Sequence, residues 1–134
     1  MGAGIRSFRD LRVWQAGMEL VEQVYLLTRT FPKPETYGLT LQIQRAAVSI
    51  PSNIAEGQSR EHGKEYLHHL SMAQGSLAEL QTQLEIAGRL GYVQAEPLSQ
   101  ALDRATSLAK QLRALRKALA KSLTPKTQNP TPNT

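Results

Sequence analysis

The chain has 134 residues and a formal charge of +5, from 16 Lys and Arg against 11 Asp and Glu, and a single domain of this length can bury a substantial core. It contains no cysteine, which excludes disulfide bonds, cysteine-ligated metal sites and thiol catalysis. The longest stretch without Asp, Glu, Lys or Arg, residues 66–78, is shorter than the roughly 20 residues of a membrane-spanning helix, so we expect a soluble protein that makes no membrane contact. The absence of cysteine fits a reducing cytoplasm, where we expect the protein to be located.

Prolines and glycines divide the chain into four segments in which apolar residues recur every three or four positions, as in helices. The predicted helices cover about residues 10–30, 34–60, 63–90 and 97–123. This pattern predicts an all-α fold, an antiparallel up-down four-helix bundle over residues 10–123. Residues 1–9 are predicted to be a flexible N-terminal arm. Residues 124–134 are predicted to be a disordered tail because they have no apolar side chain larger than proline.

The first helix has a wider apolar surface than one core requires. A stripe that includes Val13 and Leu20 is flanked by a second stripe, and together they cover roughly 200° of the helix, whereas a helix on one core needs an arc of only a little over ~100°. Deep burial within the monomer or contact with another subunit would each explain the extra width. We favour an oligomer interface, formed by Trp14, Met18, Val21 and Tyr25.

The second helix contains a proline in its interior, Pro51. Proline removes one backbone hydrogen bond and its ring clashes with the carbonyl four residues earlier. We therefore predict a kink near Pro51. The alternative is two shorter helices, with Pro51 at the start of the second.

Polar residues share one face of this second helix, because most of them recur at intervals of three or four. They could form a buried or intersubunit hydrogen-bond network that sets the packing register, or they could line a ligand site. We favour the structural role because small alanines beside them indicate close helix contact. The set comprises Arg45, Ser49, Ser52, Asn53 and Glu56.

The third and fourth helices carry the most regular apolar repeats, as in antiparallel bundles. Gly91 is predicted to cap the third helix in a left-handed conformation, with Tyr92 packing back on its last turn. Pro97 suits the first turn of the fourth helix.

The fourth helix is strongly basic, since no acidic residue follows Asp103. Cations that recur every three or four residues lie on one side of a helix, where they can contact successive phosphates of a nucleic acid. The alternative is a helix face that is exposed to water and has no ligand. The cations near its C-terminal end would then be explained by their favourable interaction with the helix dipole. The predicted nucleic-acid-binding residues are Arg104, Lys110, Arg113, Lys117 and Lys121.

Catalytic and metal-binding patterns are missing from the sequence. Glu65 and His68 form one Glu-x-x-His pair, whereas a di-iron bundle needs two such pairs and two further glutamates. Phosphate-binding loops, nucleophile elbows and His-Glu-x-x-His helices are also absent. We therefore expect a protein that is not an enzyme and that holds neither a metal nor a cofactor.

The segment QIQRAAVSIPSNIAEG at residues 42–57 closely resembles the signature of the four-helix bundle proteins encoded by intervening sequences in 23S ribosomal RNA genes. Further matching pieces follow the family's order: FRDL at 8–11, VWQ at 13–15, AQGSLAEL at 73–80 and LGY at 90–92. The resemblance implies a homopentameric ring, and most members have no established activity. A related branch, the accessory variability proteins of diversity-generating retroelements, associates with a reverse transcriptase and binds nucleic acid through a basic surface.

These observations together predict a non-catalytic oligomeric bundle that binds RNA or DNA phosphates through its fourth helix. Such a protein could serve as accessory to a larger protein such as a reverse transcriptase. The alternative is a structural or protein-partner module that binds no nucleic acid.

Overall fold

A computed structural model describes residues 6–123, which form four α-helices and two short 3-10 turns and contain no strand. The helices are α1 (Arg12–Thr28), α2 (Leu39–Ser59), α3 (Gly63–Arg89) and α4 (Ala95–Ser122), and the 3-10 turns are Phe8–Asp10 and Lys33–Glu35. The all-α four-helix prediction is therefore confirmed. The first part of the predicted arm, residues 1–5, and the predicted tail, residues 124–134, lie outside the described residues. Within 6–123, no helix combines the length and the apolarity that crossing a bilayer requires.

Each helix contacts its neighbours in sequence, and α1 also contacts α4, whereas the described residues make no close approach between α1 and α3 or between α2 and α4. Late residues of one helix meet early residues of the next. Gln44 on α2, for example, donates a hydrogen bond to Thr28 on α1 at 3.1 Å. Such contacts are expected where adjacent helices run in opposite directions, and the up-down order stays a prediction.

The core consists of the apolar stripes that the sequence pattern indicates. Its largest fully buried side chains include Leu20 on α1, Ile50 on α2, Leu80 on α3 and Leu108 on α4. Leucines toward the end of α4, such as Leu115, are only half-buried. The reason is that α1 begins only at Arg12, so it does not cover the last turns of α4.

Helix α2 is continuous through Pro51, so the alternative of two shorter helices is wrong. Pro51 is buried on the side of α2 that faces α1. A Cβ atom on Gly17 would lie 3.5 Å from the Pro51 ring, an ordinary contact distance, so α1 passes directly beside Pro51. The kink remains a prediction.

The ends of the helices are set by specific hydrogen bonds. Helix α2 begins at Leu39, five residues later than the pattern indicates, because Pro34 lies in a separate 3-10 turn and Glu35 Oε1 accepts a hydrogen bond from the Leu39 N–H at 3.1 Å. At the end of α3, Gly91 has φ 77°, and the Tyr92 N–H donates to the Ala87 carbonyl at 2.9 Å. This is a Schellman motif, and it confirms the predicted glycine cap.

Candidate nucleic-acid interface and oligomer surface

The basic residues of α4 divide into two groups. Lys110, Arg113, Lys117 and Lys121 are exposed on one side of the helix, and none of them forms an ion pair within residues 6–123. Arg104 lies toward α1, where its Nη1 is 3.6 Å from Glu19 Oε1. The structure therefore separates Arg104 from the other four predicted residues, because its position in the helical turn directs it toward a carboxylate on the neighbouring helix.

A groove of about 440 Å³ lies between α3 and α4 beside these cations. We call it the basic groove, and its lining residues are Leu67, Arg113, Arg116, Lys117 and Ala120. Neither a carboxylate nor an aromatic ring is among them. The groove therefore presents positive charge beside an apolar surface, and it has no ring on which a base could stack.

Arg116 is a residue of this groove that the sequence analysis did not select. Its side chain is half-buried and its Nη1 donates a hydrogen bond to Gln74 Oε1 on α3. Its Nε atom is buried and has no hydrogen-bond partner among the described residues. Arg116 belongs to the run of cations that follows Asp103 in the sequence. Only the register of α3 against α4 shows that Gln74 faces it.

Three of the four predicted oligomer residues line a second groove, of about 370 Å³, between α1 and α2. We call it the apolar groove, and its lining residues are Trp14, Met18, Val21, Val48, Pro51, Ser52 and Ala55. Trp14 is half-buried and packs on Phe8, with ring centroids 5.4 Å apart. Tyr25 lies outside the lining but is exposed further along α1.

Three apolar side chains in the apolar groove, or next to it on α1, are exposed. Met18 is 39% exposed, Tyr25 44% and Val48 40%. Val48 and Ala55 were not predicted as part of this surface. Their spacing on α2 was visible in the sequence, but which helix they face was not.

The polar residues of the second helix are split between two surfaces. Ser49 and Asn53 lie in the seam between α2 and α3, where Ser49 Oγ is 2.8 Å from Ser76 Oγ and the Asn53 amide donates to Ser49 Oγ at 3.0 Å. Asn53 Oδ1 is also 3.2 Å from His69 Nδ1. These side chains join the two helices through one connected set of hydrogen bonds.

The other polar residues lie nearer to solvent. Glu56 is paired with Arg60 at 2.8 Å and is 3.9 Å from His69 Nε2. Arg45 and Ser52 are exposed and take no part in the seam. Intervals of three and four place residues on an arc rather than on a line, and here the arc crosses the boundary between the seam and the surface.

Among residues 6–123, no three His, Asp or Glu side chains are grouped closely enough to hold a metal ion. His68 is exposed, and its ring lies 5.9 Å from that of His69, whose own nitrogen already contacts Asn53. The Glu65–His68 pair therefore has no further ligands beside it in this part of the chain.

Comparison with known proteins agrees with the fold. A solved structure from Bacteroides thetaiotaomicron, a protein of unknown function from the S23 ribosomal protein family, superposes with a TM-score of 0.73 at 22% sequence identity, covering 78% of this chain and 95% of that one. No curated protein matches the chain significantly. Residues 9–114 match the model of the 23S rRNA-intervening sequence protein family. The chain belongs to the family of 23S rRNA-intervening sequence proteins.

Proposed function

We propose that this protein is a non-catalytic, self-associating four-helix bundle that binds the phosphates of RNA or DNA through the basic face of α4. The observation that carries the proposal is the row Lys110, Arg113, Lys117 and Lys121, which is exposed and unpaired within the described residues. At a rise of 1.5 Å per residue the row is roughly 16 Å long. Each phosphate that it neutralises would release counterions, so binding would depend strongly on salt.

Self-association is supported by the apolar groove, whose lining includes two exposed apolar side chains, Met18 and Val48. The α1–α2 pair and the α3–α4 pair form opposite sides of the bundle, because the described residues of α1 and α3 make no close approach and neither do those of α2 and α4. Copies that meet through the apolar groove would therefore leave each basic groove accessible. Several weak basic surfaces in one assembly bind more tightly than one, and the family resemblance favours five.

The nucleic-acid proposal is tested with a fluorescein-labelled 20-base-pair duplex at 50 and 200 mM salt. Four contacts predict a log–log salt slope of roughly −3 to −4 and an affinity loss of about 100-fold over this range. Replacing Lys110, Arg113, Lys117 and Lys121 together by alanine should weaken binding at least 10-fold. Arg104→Ala is the control, because Arg104 is paired with Glu19, and it should change the affinity less than about 3-fold.

Two outcomes of this assay would contradict the proposal. One is an affinity that does not change with salt, and the other is a quadruple variant that binds as tightly as the parent protein. Helicity measured by circular dichroism checks that the variants are folded, which we expect because all four replaced side chains are exposed.

A second candidate function is a protein-partner module. It is favoured by apolar side chains exposed near one end of the bundle, where Leu26 is 56% exposed, Leu90 55% and Tyr37 89%. A larger protein such as a reverse transcriptase would cover them. This function predicts a stable complex that survives the quadruple substitution on α4 but is lost when Leu26 and Leu90 are replaced by serine, as measured by co-purification.

A further inference from the structure

An arginine without a carboxylate partner is held at the edge of the α3–α4 seam. Arg116 is half-buried, yet within residues 6–123 it forms no ion pair. Removing a charged group from water costs free energy unless it is paired and hydrogen-bonded. Gln74 accepts one hydrogen bond from the guanidinium, and the buried Nε has no partner in the described chain. Because the buried Nε is not accessible to a ligand, the donors left for an incoming anion are those of Nη2 and the second hydrogen of Nη1.

The surroundings of Arg116 favour an anion. Arg113 and Lys117 line the same groove, and the lining contains no carboxylate. Leu67 adds apolar surface to the lining on the α3 side, and a less polar surrounding strengthens the attraction between a cation and a bound negative charge. The groove volume of about 440 Å³ is large enough for a phosphate and its sugar neighbours.

We propose that Arg116 anchors one backbone phosphate in the basic groove, with Gln74 as the residue that positions its guanidinium. This inference rests on the proposed nucleic-acid function and identifies where on that surface a phosphate binds. We call this position, Arg116 with Gln74, the seat. The planar guanidinium presents donors in a fixed fork that matches two phosphate oxygens, whereas an ammonium acts as a point charge. Arg113 and Lys117 add charge around the seat.

The chemistry of the groove also defines what part of the nucleic acid is recognised. Single-strand binding proteins hold bases by stacking them on aromatic rings, and no aromatic residue lines this groove. The seat therefore reads the phosphodiester backbone and not the bases. Affinity should be independent of base composition, and inorganic polyphosphate, which shares the anion chemistry, should displace the duplex.

The test replaces the guanidinium while keeping the charge. Arg116→Lys in the full chain should weaken binding of the labelled 20-base-pair duplex about 10-fold, since hydrogen bonds to charged groups are strong. Arg29→Lys is the matched control, because Arg29 is an exposed arginine at the end of α1, outside the basic groove, and it should change the affinity less than about 2-fold. Gln74→Ala, which leaves every charge in place, should weaken binding by several fold through loss of positioning.

The outcomes separate this inference from the proposed function. Equal effects of Arg116→Lys and Arg29→Lys would overturn the seat, even if the quadruple variant of α4 had lost binding and the function itself stood. Failure of the parent protein to bind the duplex would overturn both. Polyphosphate competition needs no variant, so it tests the seat even if Arg116→Lys folds poorly, and polyphosphate that does not displace the duplex would count against the seat.

Discussion

At the scale of single residues, Glu35 and Tyr92 join the connection between α1 and α2 to the one between α3 and α4. Glu35 Oε1 accepts a hydrogen bond from the Leu39 N–H at 3.1 Å, and its Oε2 accepts one from the Tyr92 hydroxyl at 2.9 Å. The Leu39 bond, followed by the Tyr92 bond, lowers the pKa of Glu35 below its usual value of 4.5. The same carboxylate raises the pKa of Tyr92 above 10.0 through that hydrogen bond, with a smaller effect of burial.

These two pKa shifts define the pH range in which the hydrogen bond between Tyr92 and Glu35 stabilises the fold. We call this hydrogen bond the bridge. A lowered carboxyl pKa stabilises the fold above pH 4.5, and this contribution is lost as the pH falls through the folded-state value. A raised tyrosine pKa stabilises the fold below pH 10.0, and this contribution is lost as the pH rises through the folded-state value. Tyr92→Phe should therefore lower the free energy of unfolding at pH 7 and have a smaller effect at pH 3, as measured by urea denaturation.

The matched control for this prediction is Tyr37→Phe. Tyr37 is 89% exposed and its hydroxyl has no hydrogen-bond partner among the described residues, so the substitution should leave stability unchanged at both pH values. The ring of Tyr92 packs on Phe31 at 5.5 Å, and a phenylalanine at position 92 can keep that contact. A Tyr92→Phe effect that is the same at pH 3 and pH 7 would contradict the bridge.

At the scale of helices, two glycines inside α2 and α3 have opposite surroundings. A Cβ atom on Gly57 would lie 2.7 Å from His69 Cβ and 3.3 Å from the Tyr66 carbonyl oxygen, whereas one on Gly75 would have no atom within 4 Å. Alanine favours a helix interior over glycine by up to about 1 kcal/mol. Gly75→Ala should therefore raise the free energy of unfolding by about 0.5–1 kcal/mol.

Gly57→Ala serves as the contrasting variant, because it would push α2 away from α3. Overpacking typically costs about 1–3 kcal/mol, which exceeds the helix-propensity gain, so this variant should be less stable than the parent protein. Urea denaturation of both variants gives the comparison. Equal stabilisation by the two alanines would mean that α2 and α3 are not packed this closely at Gly57.

The sequence was sufficient to predict features within a single helix, but it was not sufficient to predict the contacts between helices. Periodicity determines which residues of one helix share a face, and this was enough for the buried stripes. A glycine directly after the last residue of the third helix was enough for the Gly91 cap. Periodicity does not determine which neighbouring helix is contacted by the residues beside a buried stripe. The pairing of Arg104 with Glu19, the contact of Arg116 with Gln74 and the position of Val48 in the apolar groove all depend on the register between helices, so none of them could be predicted.

At the scale of the whole molecule, the apolar groove makes the state of assembly testable. Met18 is 39% exposed and lines this groove, whereas Met72 is 44% exposed on α3, away from it. If copies meet through the groove, Met18→Glu buries a charge at the interface and should give a smaller species in light scattering, with helicity retained. Met72→Glu, which adds the same charge at a similarly exposed methionine, should leave the assembly intact.

Met18→Glu also separates two contributions to nucleic-acid affinity, the avidity of an assembly and the chemistry of a single basic groove. Met18 is remote from the α3–α4 side of the bundle, so Met18→Glu leaves Arg113, Arg116 and Lys117 unchanged in each copy. Its affinity for the labelled duplex should nevertheless fall at least 10-fold, because one basic surface replaces several. A parent protein that is monomeric at micromolar concentration would remove this explanation. Any nucleic-acid affinity would then have to come from the α4 surface of a single chain.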